Sequence, residues 1–275
     1  YKKIPQFILL NKGMSIDEFK IIFYWEYFHR ILARIIGLFF LVPLIYFCFT
    51  KKINNKYLNI CFAIFFLIIF QGIVGWYMVK SGLINDVTVS HFRLSIHLII
   101  AFIIISTIFW LVRNITKKKN KVFFNFKKEN LPFLILIFFI FLQIITGAFV
   151  SGLDAGRIYQ TWPLMGYSYF PNDIILNEFI SIFDFNNHSL VQFYHRNIAY
   201  LITIYILFLS FYIYKKKFKN LFYPLKLLIY ILLLQIILGI FTLISGLNIF
   251  LASAHQISSV LLVFTAINLY YFQAK

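Results

Sequence analysis

Seven stretches of nearly unbroken apolar sequence run between short polar intervals, roughly Arg30 to Thr50, Leu58 to Val79, His91 to Val112, Leu131 to Val150, Tyr194 to Tyr214, Leu221 to Ser245 and Phe250 to Phe272. Each holds about 20 residues, which at about 1.5 Å per residue is enough to cross about 30 Å of hydrocarbon as a helix. None alternates polar and apolar residues in the segments of about ten that a transmembrane barrel requires. The pattern predicts an all-α polytopic membrane protein with seven transmembrane helices. Ahead of the first run, Ser15-Ile16-Asp17-Glu18 has the form of a capping box. It predicts a helix that starts well before the bilayer and projects from it by several turns.

Composition agrees and removes other classes. The 275 residues are 61% hydrophobic and 13% charged, about half the charged share of a soluble domain, and the mean hydropathy is +0.84. A water-soluble globule is excluded. The net charge of +17 would suggest nucleic acid if the cations lined one surface, but they sit in clusters between the spans. Lys51, Lys52 and Lys56 follow the first span, Arg113, Lys117, Lys118, Lys119, Lys121, Lys127 and Lys128 the third, and Lys215, Lys216, Lys217 and Lys219 the fifth. The positive-inside rule turns these loops to the cytoplasm or matrix. The segment holding Asp154, Asp173, Glu178 and Asp184 then faces out, and no nucleic-acid partner is expected. Cys48 and Cys61 lie in or at the ends of apolar runs, which gives no support to a disulfide framework or a thiolate site.

The chain repeats itself. FHRILARIIG from Phe28 matches YHRNIAYLIT from Tyr194, and QGIVGWYMVKSGL from Gln71 matches QIILGIFTLISGL from Gln235. The first three spans thus correspond to the last three. The fourth span, with its own QIITGAFVSGL, has no counterpart, so the repeat predicts an eighth helix ahead of Tyr1 and two pseudo-repeated four-helix bundles. The start at Tyr1, without an initiator Met or a signal-peptide pattern, fits a longer chain truncated at its N-terminus. The expected division is an N-terminal half-bundle over 1–112, a basic loop over 113–130 and a C-terminal four-helix bundle over 131–275.

Histidines carry the candidate chemistry. His29 and His195 match in the repeat, as do His97 and His255, and all four fall near the outer ends of their spans. A lone histidine near a helix end is ordinarily an interfacial polar group. Ionisable groups inside a membrane, however, are costly and face a bundle interior or cavity. Two per half, on different helices, suit ligation of a haem iron from both faces. His91 and His188 lack repeat partners and read as surface residues. Arg34 is one turn deeper on the first span and Arg93 lies four residues before His97 on the same helix face; both suit haem propionates, which a guanidinium grips bidentately. Arg30 and Arg196 suit either propionates or lipid headgroups.

Glu26 breaks the symmetry, because its counterpart is Gln192. A carboxylate beside one pair only suggests chemistry there, and a partly buried setting would suit it to proton exchange near neutral pH; the plainer reading is an ion pair with Arg30. The outer segment SGLDAGRIYQTWPLMG, from Ser151 to Gly166, is too apolar for an ordinary solvated loop. It reads as a cover excluding water from a site below, or as an interfacial segment anchored by Trp162.

Taken in order, GMSIDEFKIIFYWEYFHR, QGIVGWYMVKSGL, VSHFRLSIHL, SGLDAGRIYQTWPLMG, VQFYHR and SAHQ closely resemble haem A synthase of the mitochondrial and alphaproteobacterial type, over nearly the whole chain. The resemblance implies oxidation of a ring methyl of haem O to the formyl group of haem A, for use in terminal oxidases. It assigns His29 and His97 to the substrate haem, His195 and His255 to a haem b cofactor with its iron, and catalysis to Glu26. It further implies an inner membrane, bacterial or mitochondrial, with haem O synthase and terminal-oxidase assembly factors as partners. The cysteine pair of the other bacterial branch is not matched. Two other readings remain open: a dihaem b-type transmembrane electron carrier, which gives Glu26 no task, and a haem transporter.

Overall fold

The structure is a computed structural model and describes residues 5–82, 88–174 and 179–274. The elements in order are α1 (Pro5–Leu9), α2 (Ile16–Thr50), α3 (Asn55–Gly82), α4 (His91–Thr116), α5 (Leu131–Gly152), α6 (His188–Lys215), α7 (Phe222–Ile244) and α8 (Ile249–Gln273). Short 3-10 turns lie at Ala155–Arg157, Phe179–Phe183 and Lys219–Leu221. Helices α2 to α8 are each long and apolar enough to cross a membrane. The chain is an all-α polytopic membrane protein, as the hydrophobic runs predict.

Helix α2 has 35 residues, about 52 Å at 1.5 Å each, well beyond the hydrocarbon thickness. Its start is the capping box read from the sequence. The Ser15 hydroxyl accepts from the Glu18 amide at 3.3 Å, and the Glu18 carboxylate accepts from the Ser15 amide at 2.8 Å. Helix α6 starts at His188, six residues before the apolar run, where the Asn187 side chain accepts from the Leu190 amide at 3.0 Å. That first turn and a half is too polar to show as hydrophobic sequence, but a capped helix needs no apolar start.

The chain divides into two compact units, one up to Leu111 and one from Val112. In the first, Ile64 of α3 packs with Ile100, Ile104 and Leu111 of α4, and Phe40 of α2 lies against the same cluster. Leu44 is the one buried residue described in α2, so that helix turns most of its side chains outward.

In the second unit α5 packs on α6 and α8, and α7 packs on α8 and α6, closing a ring of four helices. Ile140, Ile202, Ile206, Leu225, Leu228 and Ile267 are buried there. The basic segment after α4 is stitched to α8. Lys121 donates from Nζ to the Tyr271 carbonyl at 2.9 Å and to that of Ala274, and the Tyr270 hydroxyl donates to the Phe123 carbonyl at 2.6 Å. A cation on the last carbonyls of a helix satisfies groups that have no partner within it.

At the opposite end of the ring, the apolar outer segment crosses from α5 to α6. Ala155 and Met165 are buried, while a Cβ on Gly156 would lie 2.8 Å from the Leu247 side chain in the α7–α8 turn. The segment therefore rests on the ends of the helices, with Trp162 remaining 46% exposed.

Candidate functional site

The histidines are held by the helix that precedes them. Gln71 on α3 donates from Nε2 to the carbonyl of His97 at 3.0 Å, Gln143 on α5 does the same to His195 at 3.0 Å, and Gln235 on α7 to His255 at 3.0 Å. One turn along each of these helices is a glycine, and it faces the imidazole. A Cβ added to Gly75 would lie 2.8 Å from His97 Cε1, at Gly147 it would lie 3.1 Å from His195 Cε1, and at Gly239 it would lie 2.9 Å from His255 Cε1. The Gln fixes the height of the histidine backbone, and the Gly lets its ring lie flush against the neighbouring helix. The repeated Gln-x-x-x-Gly spacing was visible in the sequence as a mark of duplication; its role as a cradle appears only once the helices are side by side.

Two imidazoles come near one another in each unit. His29 lies within electrostatic reach of His97, and His255 within reach of His195. Among the described residues there is no cluster of three or more His, Cys, Asp or Glu side chains. A cage for a bare metal ion is therefore lacking, whereas axial ligation of a porphyrin iron asks for two imidazoles only. The fit to a haem is supported by Nδ1 of His97 and of His255, buried polar atoms without a partner. His29 is exposed on α2.

The flanking residues differ between the units. In the first, Glu26 forms an ion pair with Arg30, and its side chain is 48% exposed. The expected partial burial is not found, because α2 turns this stretch outward; the ion-pair reading is the one seen. Arg34 is exposed, and the guanidinium of Arg93 lies over the Tyr77 ring, 5.4 Å from its centroid.

In the second unit the counterparts of Glu26 and Arg30 grip the outer segment. Gln192 donates to the Tyr159 carbonyl at 2.9 Å. Arg196 donates to the carbonyls of Tyr159 at 3.0 Å, Thr161 at 2.9 Å and Leu164 at 3.2 Å. Arg196 thus binds backbone carbonyls in place of the headgroups or propionates expected for it, since the segment folds down over α6 and brings those carbonyls within reach. The same segment is clasped from the side by Asp173, which accepts from the Tyr159 hydroxyl at 2.5 Å and the Ser189 hydroxyl at 2.5 Å. Burial pushes the Asp173 carboxyl up, but the hydrogen bonds from Ser189, Tyr159 and its own backbone outweigh it and leave it below its ordinary value.

His188 is exposed, as expected for a surface residue. His91 is not: it is 6% exposed at the first position of α4, its ring 4.1 Å from that of Phe92. The helix begins there and draws the side chain inward. Cys48 and Cys61 are both free.

The family described as Cytochrome oxidase assembly protein matches residues 1–267 of the chain. The chain is 50% identical over 266 residues to a Heme A synthase of Pelagibacter ubique, covering 96% of this chain and 77% of the relative. It is 40% identical over 275 residues to a Heme A synthase of Nitrosomonas eutropha, covering 97% and 76%. A Heme A synthase of Rickettsia bellii is 40% identical over 267 residues, with 96% and 79% covered.

Proposed function

Because the chain belongs to the Cytochrome oxidase assembly protein family, we propose that it is a haem A synthase, an oxidoreductase converting a ring methyl of haem O to the formyl group of haem A for terminal oxidase assembly. The observation that carries this reading is the pair of imidazoles in each unit, with an ionisable carboxylate beside one pair and an amide, Gln192, at the matching place in the other. A dihaem carrier would need the pairs but not the difference between them.

In this reading His29 and His97 hold the substrate haem, and Arg34 and Arg93 offer guanidinium groups to its propionates. Each hydroxylation joins the oxygen of one water to the methyl carbon and releases two protons and two electrons, the electrons leaving one at a time to an external one-electron acceptor. Two rounds give a geminal diol, which loses water to the aldehyde. Glu26, oriented by Arg30, accepts the proton that leaves the attacking water. His195 and His255 hold a haem b, which when bound supplies a one-electron redox centre. Gln192 and Arg196 hold the outer segment over that unit and limit access of water to its rings. The setting is an inner membrane that carries terminal oxidases, bacterial or mitochondrial, with haem O synthase and oxidase assembly factors as partners.

Chromatography of the haems extracted from the purified protein tests the proposal. Haem O and haem A are expected beside haem b; haem b alone, in cells supplied with haem O, would overturn it in favour of an electron carrier. Glu26→Gln is expected to bind haem O normally and form less than about one hundredth of the wild-type haem A, as for loss of a general base. Full product formation in that variant would remove Glu26 from the reaction.

A further inference from the structure

The segment between α4 and α5 is pinned along one side. Asn114, buried near the end of α4, donates from Nδ2 to the Lys121 carbonyl at 3.0 Å and accepts from the Lys121 amide at 3.1 Å. Lys121 and the Phe123 carbonyl are in turn bound to α8, and the Phe123 ring meets that of Tyr270 edge-on, 5.7 Å between centroids. Asn130 donates to the Asn125 carbonyl at 3.2 Å. Half-buried and exposed positions alternate over 121–126, the period of two that extended backbone imposes. With Lys121, Phe123 and Asn125 turned to the protein, Val122, Phe124 and Phe126 point away from it. These three are 62%, 69% and 73% exposed, and the Phe124 and Phe126 rings stack 6.2 Å apart, 16° from parallel.

An apolar ridge held out beyond the helix ends is unfavourable in water, and its surroundings say what covers it. Residues 113–130 carry seven Lys and Arg and residues 215–226 carry five, with Glu129 as the one carboxylate. Both segments border the C-terminus of α8, where Asn220 donates to the Phe272 carbonyl at 3.4 Å and Gln273 to the Glu129 carbonyl at 3.4 Å. The ridge therefore stands at the basic end of the second unit. Lys117, Lys118, Lys119, Lys127 and Lys128, all exposed, flank it in sequence on both sides. Thr116 ends α4 and Leu131 begins α5, so the ridge is a few residues from hydrocarbon in either direction. The surface nearest to it is the bilayer itself.

We propose that Val122, Phe124 and Phe126 form an interfacial anchor for anionic phospholipid, the apolar side chains entering the boundary between headgroups and acyl chains while the flanking lysines meet the negative headgroups. Aromatic rings and apolar side chains beside cations favour that depth. Ammonium groups clustered next to a span are drawn to a negatively charged leaflet. Apolar contact alone would accept any lipid; the lysines make the anchor selective for charge. Because the segment is stitched to α8, lipid bound here bears directly on the end of that helix.

The test uses the full chain with Cys48→Ala and Cys61→Ala and a nitroxide attached at Phe124→Cys. It is reconstituted in nanodiscs of phosphatidylcholine alone or with about a third phosphatidylglycerol. Collision of the label with a neutral, water-soluble nickel chelate, read by power-saturation electron paramagnetic resonance, reports its depth. The collision rate is expected to fall by about tenfold when phosphatidylglycerol is present, and added salt should reverse the fall. The same label at Phe126→Cys should behave alike. Replacing Lys117, Lys118, Lys119, Lys127 and Lys128 by Gln should abolish the dependence on lipid charge. Val122→Ser with Phe126→Ser should leave the label at 124 in water in both lipids. Equal collision rates in the two lipids would overturn the proposal, as would a lysine-free variant that keeps the wild-type response. Protection that vanishes when each disc holds a single chain would also overturn it, and would mark the ridge as a contact between copies of the chain.

Discussion

At Gly239 an added methyl would lie 2.9 Å from His255 Cε1, closer than carbon atoms pack. Gly239→Ala must push the imidazole or the helix aside, at a cost of about 1–3 kcal/mol for overpacking. The expected outcome is a resident haem retained at least tenfold less well on gel filtration, with helix content by circular dichroism unchanged. Wild-type retention would show that the close approach has no part in binding. The correspondence of His29 with His195, of His97 with His255 and of Glu26 with Gln192 was legible in the sequence because the repeat aligns them. The glutamine amides were visible as letters but silent as chemistry, since their partner is a backbone carbonyl on another helix and backbone groups leave no trace in residue type. The ion pair of Glu26 with Arg30 was legible from their spacing of four residues; that Gln192 instead faces a loop carbonyl depends on where the outer segment folds.

At the scale of elements, that outer segment is the part most open to experiment. Hydrogen bonds from a charged donor contribute about 1.5–3 kcal/mol each, and Arg196 makes three to the segment's carbonyls. Arg196→Met keeps most of the stem and removes all three, so limited proteolysis between 153 and 174 should accelerate by about tenfold or more; an unchanged cleavage rate would show that the other contacts suffice. The clasp between Tyr159 and Asp173 adds a pH dependence. Asp173 sits below its ordinary value because its accepted hydrogen bonds outweigh burial, so its stabilisation is complete above about pH 4 and is lost as pH falls through the depressed folded value. Tyr159 is raised, first by its hydrogen bond to Asp173 and then by burial, so its share is complete below about pH 10 and is lost as pH climbs through the raised value. Amide exchange in this segment should be slowest between those limits, and Asp173→Asn should abolish the acid limb. The spans themselves could be read from hydropathy, but the start of α6 could not, because Asn187 caps it seven residues before the apolar run begins.

For the whole molecule, each unit carries its imidazole pair within its own helices. Removing His195 should therefore cost the resident haem while the first unit still takes up haem O, and removing His97 should do the reverse; haem identity and stoichiometry per chain distinguish these outcomes, and loss of both haems from either variant would contradict them. The duplication predicts such independence, but it did not foretell that one unit would tie down its outer segment with the positions the other leaves for an ion pair. The cradle has a practical corollary as well. Backbone clamp, flat contact and aimed imidazole are all present in a single pair of adjacent helices, so the α7–α8 hairpin is a portable motif that could be grafted onto designed bundles to orient porphyrin ligands.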